Sequence, residues 1–218
     1  MIRTAIFDMD GLLIDSEAFW QEEERRIFNN LGVDITPDMQ YDTYGLGTEE
    51  VINHWYKYKP WGEERFNDIK QDIYNSVGER IQNEGTIKNG VHYILNFFIE
   101  RGIPLALAST SPMLLIDIVM DKFSFRNYFN VIHSCEFEDF EKPHPAVYIS
   151  TAEKMKVQPT ECLVFEDSFV GLIAALAARM KTVSVPDQAY AHEAKYNIAD
   201  IRLKNLAEFN EQDFLSIS

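Results

Sequence analysis

The residues best suited to chemistry in this chain stand where short apolar runs stop. Thr4-Ala5-Ile6-Phe7 ends at Asp8, with Asp10 two residues on. Ile103-Pro104-Leu105-Ala106-Leu107-Ala108 ends at Ser109, and Leu163-Val164-Phe165 ends at Glu166 and Asp167. Runs of this length read as buried strands. In an open parallel sheet, ligands bind beyond the carboxyl ends of the strands, so residues far apart in sequence meet there. Carboxylates from two strand ends make a hard-oxygen site suited to magnesium. Without a cation, Asp8, Asp10, Glu166 and Asp167 would repel one another at close range. Ser109 and a lysine such as Lys142 could hold phosphate oxygens. Together these parts can clamp a phosphoryl group and neutralise its charge. A carboxylate nucleophile divides such a displacement into two steps, through an aspartyl-phosphate.

The elements that must position these groups follow from pattern. Ser16 is an N-cap candidate for an amphipathic helix closed by Gly32, with Trp20, Ile27 and Leu31 on one face and Glu22 to Arg26 offering charge to solvent. Helical patterns continue over 48–58 and 63–82, separated by Lys59-Pro60-Trp61-Gly62, and no strand pattern intervenes. From Gly90 the texture changes. Val91 to Arg101 is helical, Pro112 can open the next helix, Val131-Ile132 is a weaker strand, and His144 to Met155 is a helix. Residues 169–180 form a buried helix with Ser168 as its N-cap, and Thr182 to Val185 form a strand. Alternating strands and helices imply an α/β fold: a Rossmann-like parallel sheet with helices on both faces. The pattern divides the chain into a core of residues 1–15 and 85–218, and a helical cap of residues 16–84 inserted after the first strand.

Composition narrows the partners. The formal net charge is -15, which disfavours nucleic acid and anionic membrane. The segment 16–84 holds 15 Asp or Glu against 7 Lys or Arg. A phosphate site here must therefore make its own positive potential from lysine, metal and backbone N–H groups. Cys135 and Cys162 have no metal-binding spacing and read as reduced thiols. With no signal-peptide pattern and no long apolar run, the expected location is cytoplasmic. Nothing demands an oligomer, and a monomer is the expectation.

At this point the residues carry a family resemblance. Asp8-Met9-Asp10-Gly11, Ser109-Thr110-Ser111-Pro112, Lys142-Pro143-His144-Pro145 and Glu166-Asp167-Ser168 with Gly171 resemble, in order, the four motifs of the haloacid-dehalogenase superfamily. A lone DxD is weak evidence, whereas four motifs in order after suitable strands are specific. The helical insert resembles the cap of the β-phosphoglucomutase-like branch, and the fullest similarity is to sugar-phosphate phosphatases of the 2-deoxyglucose-6-phosphate phosphatase type. The resemblance implies a magnesium-dependent phosphatase of small phosphate esters. It implies Asp8 as nucleophile and Asp10 as general acid, then base. Magnesium would be held by an Asp8 oxygen, the Asp10 carbonyl and Asp167, with Glu166 a ligand either directly or through water. Ser109 and the Thr110 N–H would hold phosphate, and Lys142 would balance its charge.

Blander readings compete. Ser109 could cap a helix, Lys142 could be a solvated lysine, and Glu166 or Asp167 could cap the helix from Ser168. Trp20, Trp55 and Trp61 read as packing, and His54, His92, His133 and His192 as surface or structural residues. Arg179 stands where relatives usually have glycine, which alters a helix terminus. Trp20 aligns with a histidine of the β-phosphoglucomutases; its presence argues against that isomerase, the alternative function. No cap lysine, Lys57, Lys59 or Lys70, is placed for the Schiff base of a phosphonatase. The segments near 14–17 and 83–89 are candidate hinges, and Tyr44-Gly45-Leu46-Gly47-Thr48 is a candidate substrate-selecting loop.

Overall fold

A computed structural model describes residues 1–62 and 65–217. Six parallel strands form one sheet in the order β3-β2-β1-β4-β5-β6. They are β1 (Thr4–Phe7), β2 (Leu105–Ser109), β3 (Phe129–Ser134), β4 (Cys162–Glu166), β5 (Lys181–Ser184) and β6 (Ile201–Arg202). Every residue of β1, β2 and β4 is buried, as expected of strands covered on both faces. Side chains alternate between those faces. Phe7, Leu107 and Phe165 point into one core, toward α4 (Val91–Ile99) and α5 (Met113–Lys122). Ile6, Ala106 and Val164 point into the other, toward α6 (Ala146–Met155) and α7 (Phe169–Ala177). The expected α/β class, with helices on both faces of a parallel sheet, is what the chain adopts.

Between β1 and β2 the described residues before α4 form helices: α1 (Glu17–Asn30), α2 (Thr48–Tyr58) and α3 (Phe66–Glu84), with a 3-10 turn over Met39–Thr43. The expected helix over 63–82 begins with residues 63 and 64, which lie outside the described residues. α3 packs on α1 and α2 and also reaches α5 across the molecule. The two segments joining this helical part to the sheet run side by side. The Asp15 N–H donates to the Thr86 carbonyl (2.9 Å) and the Lys88 N–H to the Leu13 carbonyl (3.0 Å).

Two elements went unread in the sequence. β6 has two residues, and α8 (Glu211–Ile217) has seven, too few for periodicity to register. Tertiary contacts hold them instead. Asp200 accepts from the Thr182 N–H (2.9 Å) beside β6, and Phe214 of α8 meets Phe97 and Phe98.

Local chemistry explains the ends of α7. Ser168 Oγ accepts from the Gly171 N–H (2.9 Å), the expected N-cap. At the other end Arg179 has φ +64°. Its N–H reaches the Leu176 carbonyl and the Met180 N–H reaches the Ala175 carbonyl, closing the helix through a left-handed residue. A non-glycine residue is strained there, and Arg179 is exposed. Arg179→Gly should therefore stabilise the protein by about 1 kcal/mol, raising Tm by roughly 2–4 °C for a chain of this size. Thermal unfolding followed by circular dichroism checks this; an unchanged or lower Tm would contradict it.

Candidate active site

Strand register assembles the floor of the site. Phe7 of β1 is level with Leu107 of β2 and Phe165 of β4. The next residue in each strand, Asp8, Ala108 and Glu166, therefore lies at the same height on the carboxyl edge. Lys142 enters from the loop before α6 and meets all three. Its Nζ donates to Asp8 Oδ1 (2.6 Å), Glu166 Oε1 (2.6 Å) and the Ala108 carbonyl (3.1 Å). It is 2% exposed, so the solvated-lysine reading fails. Burial opposes its charge, but Asp8 and Glu166 outweigh that and hold the ammonium well above its ordinary range.

Glu166 is fully committed to the protein. Besides Lys142, its Oε1 accepts from the Tyr148 hydroxyl, and its Oε2 accepts from the Ser168 N–H and Oγ (3.3 and 3.1 Å). Asp167 is less engaged, with the Tyr44 hydroxyl at 3.4 Å from Oδ2. Gly11 runs past it at φ +70°, and a side chain there would strike the Asp167 carboxylate, so this close approach requires glycine.

Carboxylate oxygens of Asp8, Glu166 and Asp167 lie within 4.8 Å of one another. Three buried carboxylates face one ammonium, an excess of negative charge that fits a divalent cation with oxygen ligands. Burial pushes the Asp8 carboxyl up to about 8, even against the pull of Lys142, and Glu166 and Asp10 add to the rise. Burial and the Glu17 charge raise Asp167 as well.

Asp10 is held differently. Ser16 Oγ (2.6 Å) and the Trp20 indole N–H (3.0 Å) donate to Oδ1, and Ser111 Oγ donates to Oδ2 (2.7 Å). Ser16 and Trp20 belong to the start of α1, and Ser111 to the loop after β2. Sequence reading missed all three. Ser16 sits at the N-cap position but makes no side-chain cap bond, and Trp20, read as packing, both packs edge-on against Tyr74 and serves Asp10. The available signal was the proximity of Ser16 and Trp20 to the first motif.

A cavity of about 750 Å³, measured with its mouth, opens over this floor. Asp8, Asp10, Thr110, Ser111, Lys142 and Asp167 line it from below, and the loop Tyr44 to Thr48 borders it. Ser109 lies just beneath the lining. It is buried and its Oγ accepts from the Ser111 N–H (3.0 Å), while α5 is capped at Pro112 without it. None of His54, His92, His133, His192, Lys57, Lys59 and Lys70 lines the cavity. His133 is structural, buried against Glu138 (2.5 Å). Both cysteines are buried and free.

The haloacid dehalogenase-like hydrolase family matches residues 5–185, from β1 through β5. The chain belongs to this family. It is 35% identical over 215 residues to hexitol phosphatase B of Escherichia coli, covering 98% of this chain and 97% of that one. It is 27% identical over 186 residues to a phosphorylated carbohydrates phosphatase of Thermotoga maritima, covering 84% of each. The crystal structure of β-phosphoglucomutase from Clostridium difficile shares the fold, with a TM-score of 0.87 at 21% identity over 100% of this chain and 97% of that one. The likeness read from four short motifs thus extends over 98% of the chain, and the relatives match the branch that the helical insert indicated. No described helix is long and apolar enough to cross a membrane.

The raised carboxyls have a measurable consequence. Below about pH 8 the metal-free site holds protons that a cation must displace. A divalent cation entering this site should therefore release protons between pH 6 and 8. The apparent Kd should rise about tenfold per pH unit lowered for each proton released. Calorimetry in two buffers of different ionisation enthalpy measures the release; an affinity independent of pH would refute it.

Proposed function

We propose that the protein is a magnesium-dependent phosphatase of small phosphorylated sugars or polyols, working through an aspartyl-phosphate on Asp8. One observation carries the reading: Lys142 fixes Asp8 and Glu166 on the floor while a separate set of donors fixes Asp10 above it. Two carboxylates in one cavity thus receive different environments, as a nucleophile and an acid/base require.

Asp8 Oδ1 is committed to Lys142, which leaves Oδ2 to attack phosphorus. Asp10 protonates the departing alkoxide, then takes a proton from the water that cleaves the aspartyl-phosphate. Phosphoryl oxygens would rest on the Thr110 and Lys142 side of the cavity. Ser109 lies within the same turn, and among the described residues no acceptor takes its hydroxyl proton. Asp8, Asp167 and the Asp10 carbonyl would hold magnesium, which when bound neutralises the floor and draws charge from the phosphoryl oxygens. Glu166, saturated by Lys142, Tyr148 and Ser168, fits a role through water or through Lys142 better than direct ligation. The relatives' names support hydroxylated carbohydrate esters as substrates. The segment 16–84 acts as a cap whose closure brings Ser16 and Trp20 to Asp10 and excludes bulk water. An isomerase is disfavoured because Trp20 fills the position of the mutase histidine.

Free phosphate measured over a panel of sugar phosphates, with magnesium and with chelator, tests the reading. Wild type should release phosphate only with magnesium, and Asp8→Asn should abolish release; isomerised sugar phosphate without phosphate release would overturn it. Trp20→Phe keeps the packing against Tyr74 but removes the donor to Asp10. It should lower kcat by about tenfold or more while leaving the magnesium dependence unchanged. A kcat equal to wild type would show that Trp20 only packs.

A further inference from the structure

The cavity wall opposite the catalytic floor has a charge that the phosphate machinery does not use. α1 presents Glu17, Trp20, Gln21 and Glu24 to the cavity, a spacing of three, four and seven residues that marks one helical face. Two of the four are carboxylates. Lys142 is the only cation among the described residues lining the cavity, and it is bound to the floor. Arg25 donates to Gln40 Oε1 (3.2 Å) and does not line the cavity. Glu22 and Glu23 pair with Arg80 outside.

Glu17 and Glu24 differ in depth. Glu17 stands beside Asp10, whose charge adds to the burial that raises its carboxyl to about 8. Glu24 lies two turns further along α1, roughly 10 Å up the helix axis, at the end of the cavity away from the reacting phosphorus. Among the described residues no hydrogen bond or ion pair reaches its side chain, which is half-buried in the cavity wall. With no protein donor bound to it, its acceptor capacity is left for whatever fills the cavity. Ionised, it is an acceptor only, so it calls for a donor from the occupant. A hydroxyl supplies one. A phosphate or carboxylate at that end supplies none and meets like charge with no cation to screen it.

We propose that Glu24 is a specificity-determining residue that accepts a hydrogen bond from the far hydroxyls of a substrate and repels a second anionic group, restricting the enzyme to monophosphate esters with a neutral, polyhydroxylated tail. This rests on the phosphatase reading above and sharpens it. The roughly 10 Å between Glu17 and Glu24 along the helix suits a tail several carbons long better than a short one.

Matched substrates test the idea: glucitol 6-phosphate against 6-phosphogluconate, which differ only in a terminal hydroxymethyl or carboxylate, and fructose 6-phosphate against fructose 1,6-bisphosphate, with phenyl phosphate as a tail lacking hydroxyls. Wild type should prefer the neutral-tailed member of each pair by about a hundredfold in kcat/KM. Glu24→Gln should shrink both preferences by about tenfold or more, chiefly through KM, and Glu24→Asp, which keeps the charge, should largely retain them. Equal use of the paired substrates by wild type would overturn the inference without any variant. So would preferences unchanged in a folded Glu24→Gln, or hydrolysis of phenyl phosphate alone. Failure to release phosphate from any compound, phenyl phosphate included, would instead sink the phosphatase reading beneath it.

Discussion

The organising constraint is the buried ammonium of Lys142. A lone charge in a dry interior is untenable unless acceptors surround it. Here one acceptor comes from each of the three central strands: the Ala108 carbonyl, Asp8 and Glu166. The strands can offer them together only because the register sets Phe7 level with both Leu107 and Phe165. A slip of one residue in any strand would send its acceptor to the opposite face. The register is itself enforced from below, where Phe7 and Phe165 stack at 4.8 Å and Phe98 and Phe209 close around them. Packing of aromatic rings on one side of the sheet edge thus fixes the geometry of charge just beyond it.

Much of this was legible because it is local or periodic. Apolar runs that stop at Asp8, Ser109 and Glu166 declare both the strands and the edge where they end. Ser168 was readable as a helix terminus from residue type, and Arg179 only through the family resemblance. What escaped was set by tertiary contact. Trp20 looks like core in a list of helix residues, and only folding brings its indole to Asp10. Tyr148 lies in the first turn of α6, just past the third motif but outside it, yet its hydroxyl reaches Glu166. Glu24 reads as one of a run of surface glutamates. The helix turns Glu22 and Glu23 toward Arg80 and Glu24 toward the cavity, a distinction of a single residue in phase. β6 and α8 are too short to carry a pattern and exist through their neighbours.

Asp8 and Asp10 depend on different parts of the chain. Asp8 is held wholly by the sheet and the loop bearing Lys142. Asp10 shares its strand end but takes two of its three donors from α1. The proposed nucleophile is thus set by the body of the fold, and the proposed acid/base by a helical segment inserted after the first strand. Antiparallel pairing at Leu13–Asp15 and Thr86–Lys88 anchors the base of that segment to the core.

One face of α1 carries both Trp20 and Glu24, a single turn apart. A rigid helix transmits rotation along its length. Any drift that re-aims position 24 toward a new tail also swings the indole relative to Asp10. With Trp20 and Glu24 in the roles proposed for them, selectivity and turnover are not independent traits: the first substitutions toward a new substrate would slow the old chemistry and the new alike, until the helix phase is restored. Diversification by way of Leu46 to Thr48, which border the same cavity and, unlike Tyr44, make no hydrogen bond to the carboxylates of the floor, carries no such penalty.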